Sequence, residues 1–289
     1  MAITAAMVKE LRERTGLGMM DCKKALEEAS GDMETAIDEL RKKSALKAAK
    51  KAGRTAADGL LGLKISADGR KAALVEVNIE TDFAAKNEKF VAFVDEVLEA
   101  AFDACESDVE KLLSGELDDR RQSLVQEIGE NITVRRAACF ETADGRISAY
   151  LHGDNRKGAL VELSGGDAEL GRDIAMHVTA VNPQVVTADQ MPEETVAKER
   201  EIFASQAAES GKPADIVEKM VEGRIRKYLA EVTLVEQPFV KEPDTKVGKL
   251  LQDAGAECRR FVRFEVGEGI EVEESDFAAE VAAQVKGAS

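Results

Sequence analysis

Apolar positions along the chain switch between helical and strand-like spacing. Val8 and Leu11, then Cys22, Ala25, Leu26 and Ala29, then Ala36, Ile37 and Leu40 recur every three or four residues. Thr15-Gly16-Leu17-Gly18 and Ser30-Gly31-Asp32 interrupt them, so residues 1–55 predict three short helices and a basic linker. Apolar runs at 60–66 and 71–79 flank Ala67-Asp68-Gly69-Arg70, and Asp-Gly between such runs predicts a hairpin. Phe90, Phe93, Val94 and Val97 place a long helix after it, ending near Ala104. Further helices at 107–115 and 117–127 stop at Ile128-Gly129, and 132–140 reads as a strand.

The pattern then repeats. Residues 70–77, RKAALVEV, match residues 156–163, RKGALVEL, without a gap, and each copy runs into a helix, the second carrying Ile174, Val178 and Val181. Ala143-Asp144-Gly145-Arg146 also repeats the first turn letter for letter. The fold class is therefore α+β, with two related halves that each comprise a hairpin sheet and a helix. Two helical patterns follow, one with Val196, Phe203 and Ala207 and one with Ile216, Val217, Met220, Val221 and Tyr228. Joined at Ser210-Gly211-Lys212-Pro213, they predict an antiparallel arm roughly 25 Å long. Strand patterns at 231–235 and 258–266 make this arm an insertion in the second half. The predicted units are 1–55, 56–141, 142–186 with 231–266, the arm at 187–230, and a terminal piece at 267–289 with a short helix at 276–285.

The repeat isolates one segment. Thr81-Asp82-Phe83-Ala84-Ala85 lies where a strand meets a helix, and Thr81 or Asp82 is suited to cap that helix. At the same offset the second half has Asp167-Ala168-Glu169. A glutamate in place of Phe83 indicates that the junction closes without an aromatic, which favours Phe83 as an outward wedge. Met19 and Met20, near the surface of the first helical unit, read either as adaptable apolar contacts or as residues that complete a small core.

Composition narrows the chemistry. Lys plus Arg is 40 against 56 Asp plus Glu, a net charge of −16, which argues against direct nucleic-acid binding. No run of roughly 20 apolar residues suits a membrane span, and no leader-like start is present. The four cysteines, Cys22, Cys105, Cys139 and Cys258, suggest neither a disulfide framework nor a metal site, and a reducing cytoplasm is expected. No nucleophile elbow, phosphate loop or zinc motif occurs, so no catalytic residue, metal or cofactor is expected and the chain is not read as an enzyme. Of two histidines, His152 reads as an exposed contact and His177 as structural. Glu76, Glu80 and Asp82 read as a solvated sheet face.

The motifs LRERTGLGMMDCKKAL at 11–26, Asn78-Ile79-Glu80-Thr81-Asp82-Phe83, and FVRFEVGEG at 261–269 closely resemble the elongation factor Ts family. The likeness covers essentially the whole chain, with Ala84 where the family commonly has valine. It implies a guanine nucleotide exchange factor for the translational GTPase EF-Tu, acting on its GDP-bound and nucleotide-free forms. It further implies that the N-terminal helices resemble ubiquitin-associated domains and that Met19 and Met20 contact EF-Tu. By the same likeness, Asp82, Phe83, Ala84 and Ala85 dislocate magnesium from EF-Tu, Ile128 and Gly129 approach its phosphate side, and His152 touches another of its domains. The arm resembles a coiled-coil element for a homodimer or 2:2 complex. A non-exchanging adaptor or holdase is the alternative.

Overall fold

A computed structural model of the chain describes residues 3–209 and 213–271, and within them the architecture is α+β. Three helices come first, α1 (Ala5–Thr15), α2 (Met19–Glu28) and α3 (Met33–Lys51). Thr4 caps α1 by accepting from the Met7 amide at 3.3 Å, and Asp32 caps α3 by accepting from Thr35 at 2.7 Å. Leu11, Cys22, Leu26 and Leu40 close a small core between them.

The next run is β1 (Asp58–Ile65), β2 (Lys71–Ile79), α4 (Asp82–Ala85), α5 (Glu88–Ala104), α6 (Val109–Leu112), α7 (Glu116–Ile128) and β3 (Ile132–Glu141). It is followed by β4 (Arg146–Leu151), β5 (Lys157–Ser164), α8 (Ala168–Val181), α9 (Glu193–Ala208) and α10 (Ala214–Val232). After these come β6 (Pro238–Phe239), β7 (Glu242–Lys246), α11 (Val247–Asp253) and β8 (Glu257–Glu265). Strands β1-β2-β3 form one antiparallel sheet and β4-β5-β8 a second.

Four layers result. Phe90, Phe93 and Val97 of α5 cover the outer face of the first sheet, and Ile174 and Val178 of α8 cover that of the second. The inner faces meet through Leu61, Leu74, Phe140, Ile147, Leu160 and Phe264. Each large apolar side chain so buried contributes on the order of 1.5–3 kcal/mol.

The two halves are joined reciprocally. Leu61 donates its amide to Asn155 at 2.8 Å, and its repeat counterpart Ile147 donates to Gly69 at 2.7 Å. Arg136 on β3 lies 4.3 Å over the ring of Phe264 on β8, while Arg260 on β8 lies 4.1 Å over Phe140 on β3. Each arginine also bonds a main-chain carbonyl across the junction, Arg136 to Glu265 at 2.9 Å and Arg260 to Glu141 at 3.2 Å. Beneath them sit the paired repeat residues Glu76 and Glu162. Glu76, fully buried, accepts from Arg135, Arg136 and the Gly267 amide, and Glu162 accepts from Thr142, Arg259 and Arg260. Burial by itself would raise the Glu162 carboxyl, but the bonds from Thr142, Arg260 and Arg259 hold it below its usual range.

Several expectations need correction. Glu76 is not on a solvated face, because the second sheet covers it and the arginines compensate its charge. Ala143–Arg146, although identical in letters to the β1–β2 turn, connects the first sheet to the second; the matching hairpin turn is His152–Arg156, between β4 and β5. Residues 231–235 are not a strand. There α10 continues to Val232 and a short 3-10 turn at Leu234–Glu236 buries Leu234 in the second core. The helix expected at 107–115 is only the turn α6, and Asn87 separates α4 from α5 by capping the latter at Lys89. Cys105 and Cys139, expected free, form a disulfide that ties the end of α5 to β3, with Cα atoms 5.2 Å apart. Packing of α5 on β3 brings together cysteines that 34 residues of sequence separate. The tip of the arm at 210–212 and the predicted helix at 276–285 lie outside the described residues.

Four outcomes follow from this packing. Arg136→Ala strips the fully buried Glu76 of a partner and Phe264 of its stacked cation, and should lower stability in urea unfolding by about 3 kcal/mol. Arg260→Ala should cost less, because Arg260 is more exposed than Arg136. Reducing the Cys105–Cys139 bond should lower the melting temperature of the core, since opening a loop of this length releases about 4 kcal/mol of chain entropy. Thiol titration should find Cys22 and Cys258 reactive only after unfolding, as both are buried and burial pushes the Cys258 thiol up to about 12.

Candidate functional site

Helix α4 is one turn long, and it carries the least buried of the large side chains near the first sheet. Phe83 is 83% exposed. Its neighbours point the other way: Ala84 and Ala85 are buried in the core beneath α5, which anchors the turn from below. The small Ala84 side chain is part of that anchor. Asp82 is outside as well, and the Lys86 ammonium, bonded to it at 2.9 Å, holds its carboxyl below the usual range. The same ammonium lies 5.6 Å from the Phe83 ring centre. An apolar ring thus stands in water beside an ionised carboxylate.

The backbone below this ring is held by polar bonds. Thr81 caps α4 through its hydroxyl oxygen, which accepts from the Ala84 amide at 3.2 Å. The counterpart Asp167 caps α8 in the same way, accepting from Leu170 at 2.8 Å. Both junctions therefore close by capping, and the aromatic is extra to closure.

Ile128 and Gly129 stand next to this turn. Gly129 ends α7 in the left-handed region at φ 89°, which a β-carbon would strain. The following residue reaches across to α4: Glu130 accepts from the Thr81 amide at 3.0 Å and from its hydroxyl at 2.8 Å. In return Glu80 accepts from the Asn131 amide at 2.6 Å. Lys51, at the end of α3, donates to the Gly129 carbonyl, and Lys89 bonds Glu127. The two predicted segments are thus one assembled surface. Glu130 and Asn131 were not legible as part of it, because their role depends on the β2–β3 register; the signal available was their position just before a strand start.

Met19 and Met20 open α2 and are 61% and 74% exposed. With Ile3, Val8 and Lys23 they line a groove of about 350 Å³. Asp21 of the same turn accepts from Gln126 of α7 at 3.2 Å, and Ser44 of α3 donates to Gln126 at 2.9 Å, so α7 links the methionines to the Ile128–Gly129 turn. His152 is exposed on the β4–β5 turn, 3.4 Å from the Tyr150 hydroxyl. It lies in a different groove, with Met176, Val240 and Lys241. That turn does approach α4, since Arg156 adds to the lowering of Asp82 and bonds Asp58 of β1. His177 is buried, accepts from the Val240 amide at Nδ1 and therefore donates from Nε2 to Gln237 at 2.9 Å. Burial lowers its pKa, and it is a structural residue.

Among the described residues no cluster of three or more metal-ligating side chains occurs, and no helix is long and apolar enough to cross a membrane.

The chain matches the family model described as elongation factor TS over residues 80–268. It is 60% identical over 286 residues to the elongation factor Ts of Hahella chejuensis, covering 99% of each chain. It is 60% identical over 285 residues to that of Saccharophagus degradans, covering 99% of this chain and 98% of the relative. To that of Methylococcus capsulatus it is 59% identical over 292 residues, covering 99% of each. The match runs through both sheets, the arm inserted within the second and the exposed turn at Phe83, and the chain belongs to the elongation factor Ts family.

Proposed function

We propose that the exposed ring of Phe83 is the part of this chain that loosens GDP, in the exchange of nucleotide on EF-Tu that membership of the elongation factor Ts family brings. Exchange of this kind is a binding function, with no bond made or broken by the factor itself. The factor must hold the nucleotide-free GTPase more tightly than the GDP form, and linkage then requires that it weaken GDP binding by the same ratio. A GTPase holds its nucleotide through a phosphate loop and magnesium ligands, where small displacements remove much affinity. An apolar ring carried on a rigid turn beside the Asp82 carboxylate suits that task. The ring fills space open only in the displaced partner, and the carboxylate disfavours the neighbouring anionic ligands. The observation that carries the reading is the ring's 83% exposure on a turn whose alanines are buried.

The other surfaces take supporting roles in this proposal. Residues 1–55 form a three-helix unit like a ubiquitin-associated domain and grip EF-Tu through Met19 and Met20. The units 56–141 and 142–186 with 231–266 are the two core halves, which offer Ile128, Gly129 and His152 as further contacts. The insertion at 187–230, built on α9 and α10 around Ala207, Val221 and Ile225, pairs with a second copy or with EF-Tu. Residues 267–289, described only to 271, are assigned to a separate module in this proposal. The work is placed in the cytoplasm, where elongation occurs, and it needs no cofactor and no direct contact with nucleic acid. A non-exchanging adaptor or holdase is not favoured.

The test is release of a fluorescent GDP analogue from EF-Tu. The full chain at micromolar concentration should accelerate release, and absence of acceleration would contradict exchange. Phe83→Ala should lower the maximal rate by about tenfold or more, reading as loss of an interaction made in the displaced state. Replacing Met19 and Met20 by serine should instead raise the half-saturating concentration with little change in maximal rate, as expected for contacts made equally in both states.

A further inference from the structure

The ladder between β2 and β3 ends at Ile79 opposite Ile132. Beyond it the main chains no longer bond each other, and the next two positions on each strand are joined by side chains instead. Glu80 takes the amide of Asn131, and Glu130 takes both the amide and the hydroxyl of Thr81. From this we propose that Glu130 is the positioning residue of the wedge: its carboxylate fixes Thr81, and Thr81 fixes the direction of Phe83. The proposal rests on the reading of Phe83 given above.

The chemistry of the hydroxyl explains why a carboxylate is needed. A threonine hydroxyl has one proton and two lone pairs. Once its proton is committed to Glu130 at 2.8 Å, only lone pairs face the Ala84 amide, which is what capping α4 requires. The second carboxylate oxygen holds the Thr81 amide at 3.0 Å, so the cap is pinned through both main chain and side chain. A helix of one turn cannot sustain its own geometry, since nucleation is unfavourable without outside contacts. Packing cannot orient the ring either, because the ring lies in solvent. Its direction is inherited from the cap and from the alanines beneath.

The second half of the molecule shows that closure alone does not demand this brace. The offset that superimposes Arg136 on Arg260 and Phe140 on Phe264 places Ala254 at the position of Glu130 and Gly255 at that of Asn131. Across from them, Gly166 occupies the position of Glu80. There the chains close against each other directly: a β-carbon on Gly165, at φ +75°, would come within 2.3 Å of the Gly255 carbonyl oxygen. Asp167 caps α8 without an outside carboxylate. The brace occurs in the half that carries the exposed aromatic, and it ties that aromatic to the adjoining Ile128–Gly129 turn.

The experiment measures GDP release from EF-Tu as a function of factor concentration for Glu130→Ala, Thr81→Val, their double variant, Thr81→Ser and Phe83→Ala, with melting temperatures recorded for each. Glu130→Ala and Thr81→Val should each lower the maximal rate about tenfold while the half-saturating concentration stays within about twofold, because a misdirected wedge still permits docking. The double variant should also lose about tenfold rather than about a hundredfold, since both changes break the same link. Thr81→Ser, which keeps the hydroxyl, should retain the rate. The proposal is overturned by any of three results: a wild-type rate for Glu130→Ala where Phe83→Ala is impaired, a loss confined to half-saturation, or losses that multiply. A wild-type rate for Phe83→Ala would remove the wedge reading itself, and the brace would then have nothing to direct.

Discussion

An aromatic ring that must stay in water until a partner arrives cannot be oriented by burial. Phe83 is in that position, and the structure around it answers the constraint by fixing everything except the ring. Ala84 and Ala85 are sunk in the core, Thr81 is pinned from the side, and Lys86 engages the Asp82 carboxylate. In the exchange proposed above, the cost of leaving an apolar side chain hydrated in the free protein is recovered on contact, and the arrangement gives binding free energy to the partner's displaced state.

The rigidity behind the wedge comes from the way two similar halves are fused. Each half lends an arginine to the other's phenylalanine and bonds a carbonyl across the seam, and each places a glutamate beneath the arginine pair. Residues far apart in sequence thereby share one interior. The turn with His152 reaches the side of α4 through Arg156 and Asp58, so the second half also supports the first half's exposed edge. The second half has a glycine-rich closure, whereas the first has acidic side chains that hold a projecting turn.

Much of this was legible in the sequence because it depends on local pattern. The helix cap at Thr81, the hairpin at Asp68-Gly69, and the repeat that singled out Phe83 all rest on residues close together in the chain. What failed depended on partners distant in sequence. Glu76 looked solvated because alternation along one strand cannot reveal a second sheet above it. The Cys105–Cys139 bond and the Glu130–Thr81 brace need the β2–β3 register and the path of α5 through α7. The identical letters of 67–70 and 143–146 misled for the same reason, since the second set spans two sheets. Residues 231–235 carry strand-forming side chains, yet their burial is satisfied at the end of a helix.

The central claim is that Phe83 acts through the magnesium and phosphate region of EF-Tu. It is tested most directly by measuring factor-stimulated GDP release with the wild-type chain and with Phe83→Ala over a range of free magnesium, down to full chelation. If the wedge acts by disturbing the metal's ligands, the two chains differ at high magnesium and their rates converge as the metal is withdrawn. A ratio that stays constant across the whole range would contradict the account.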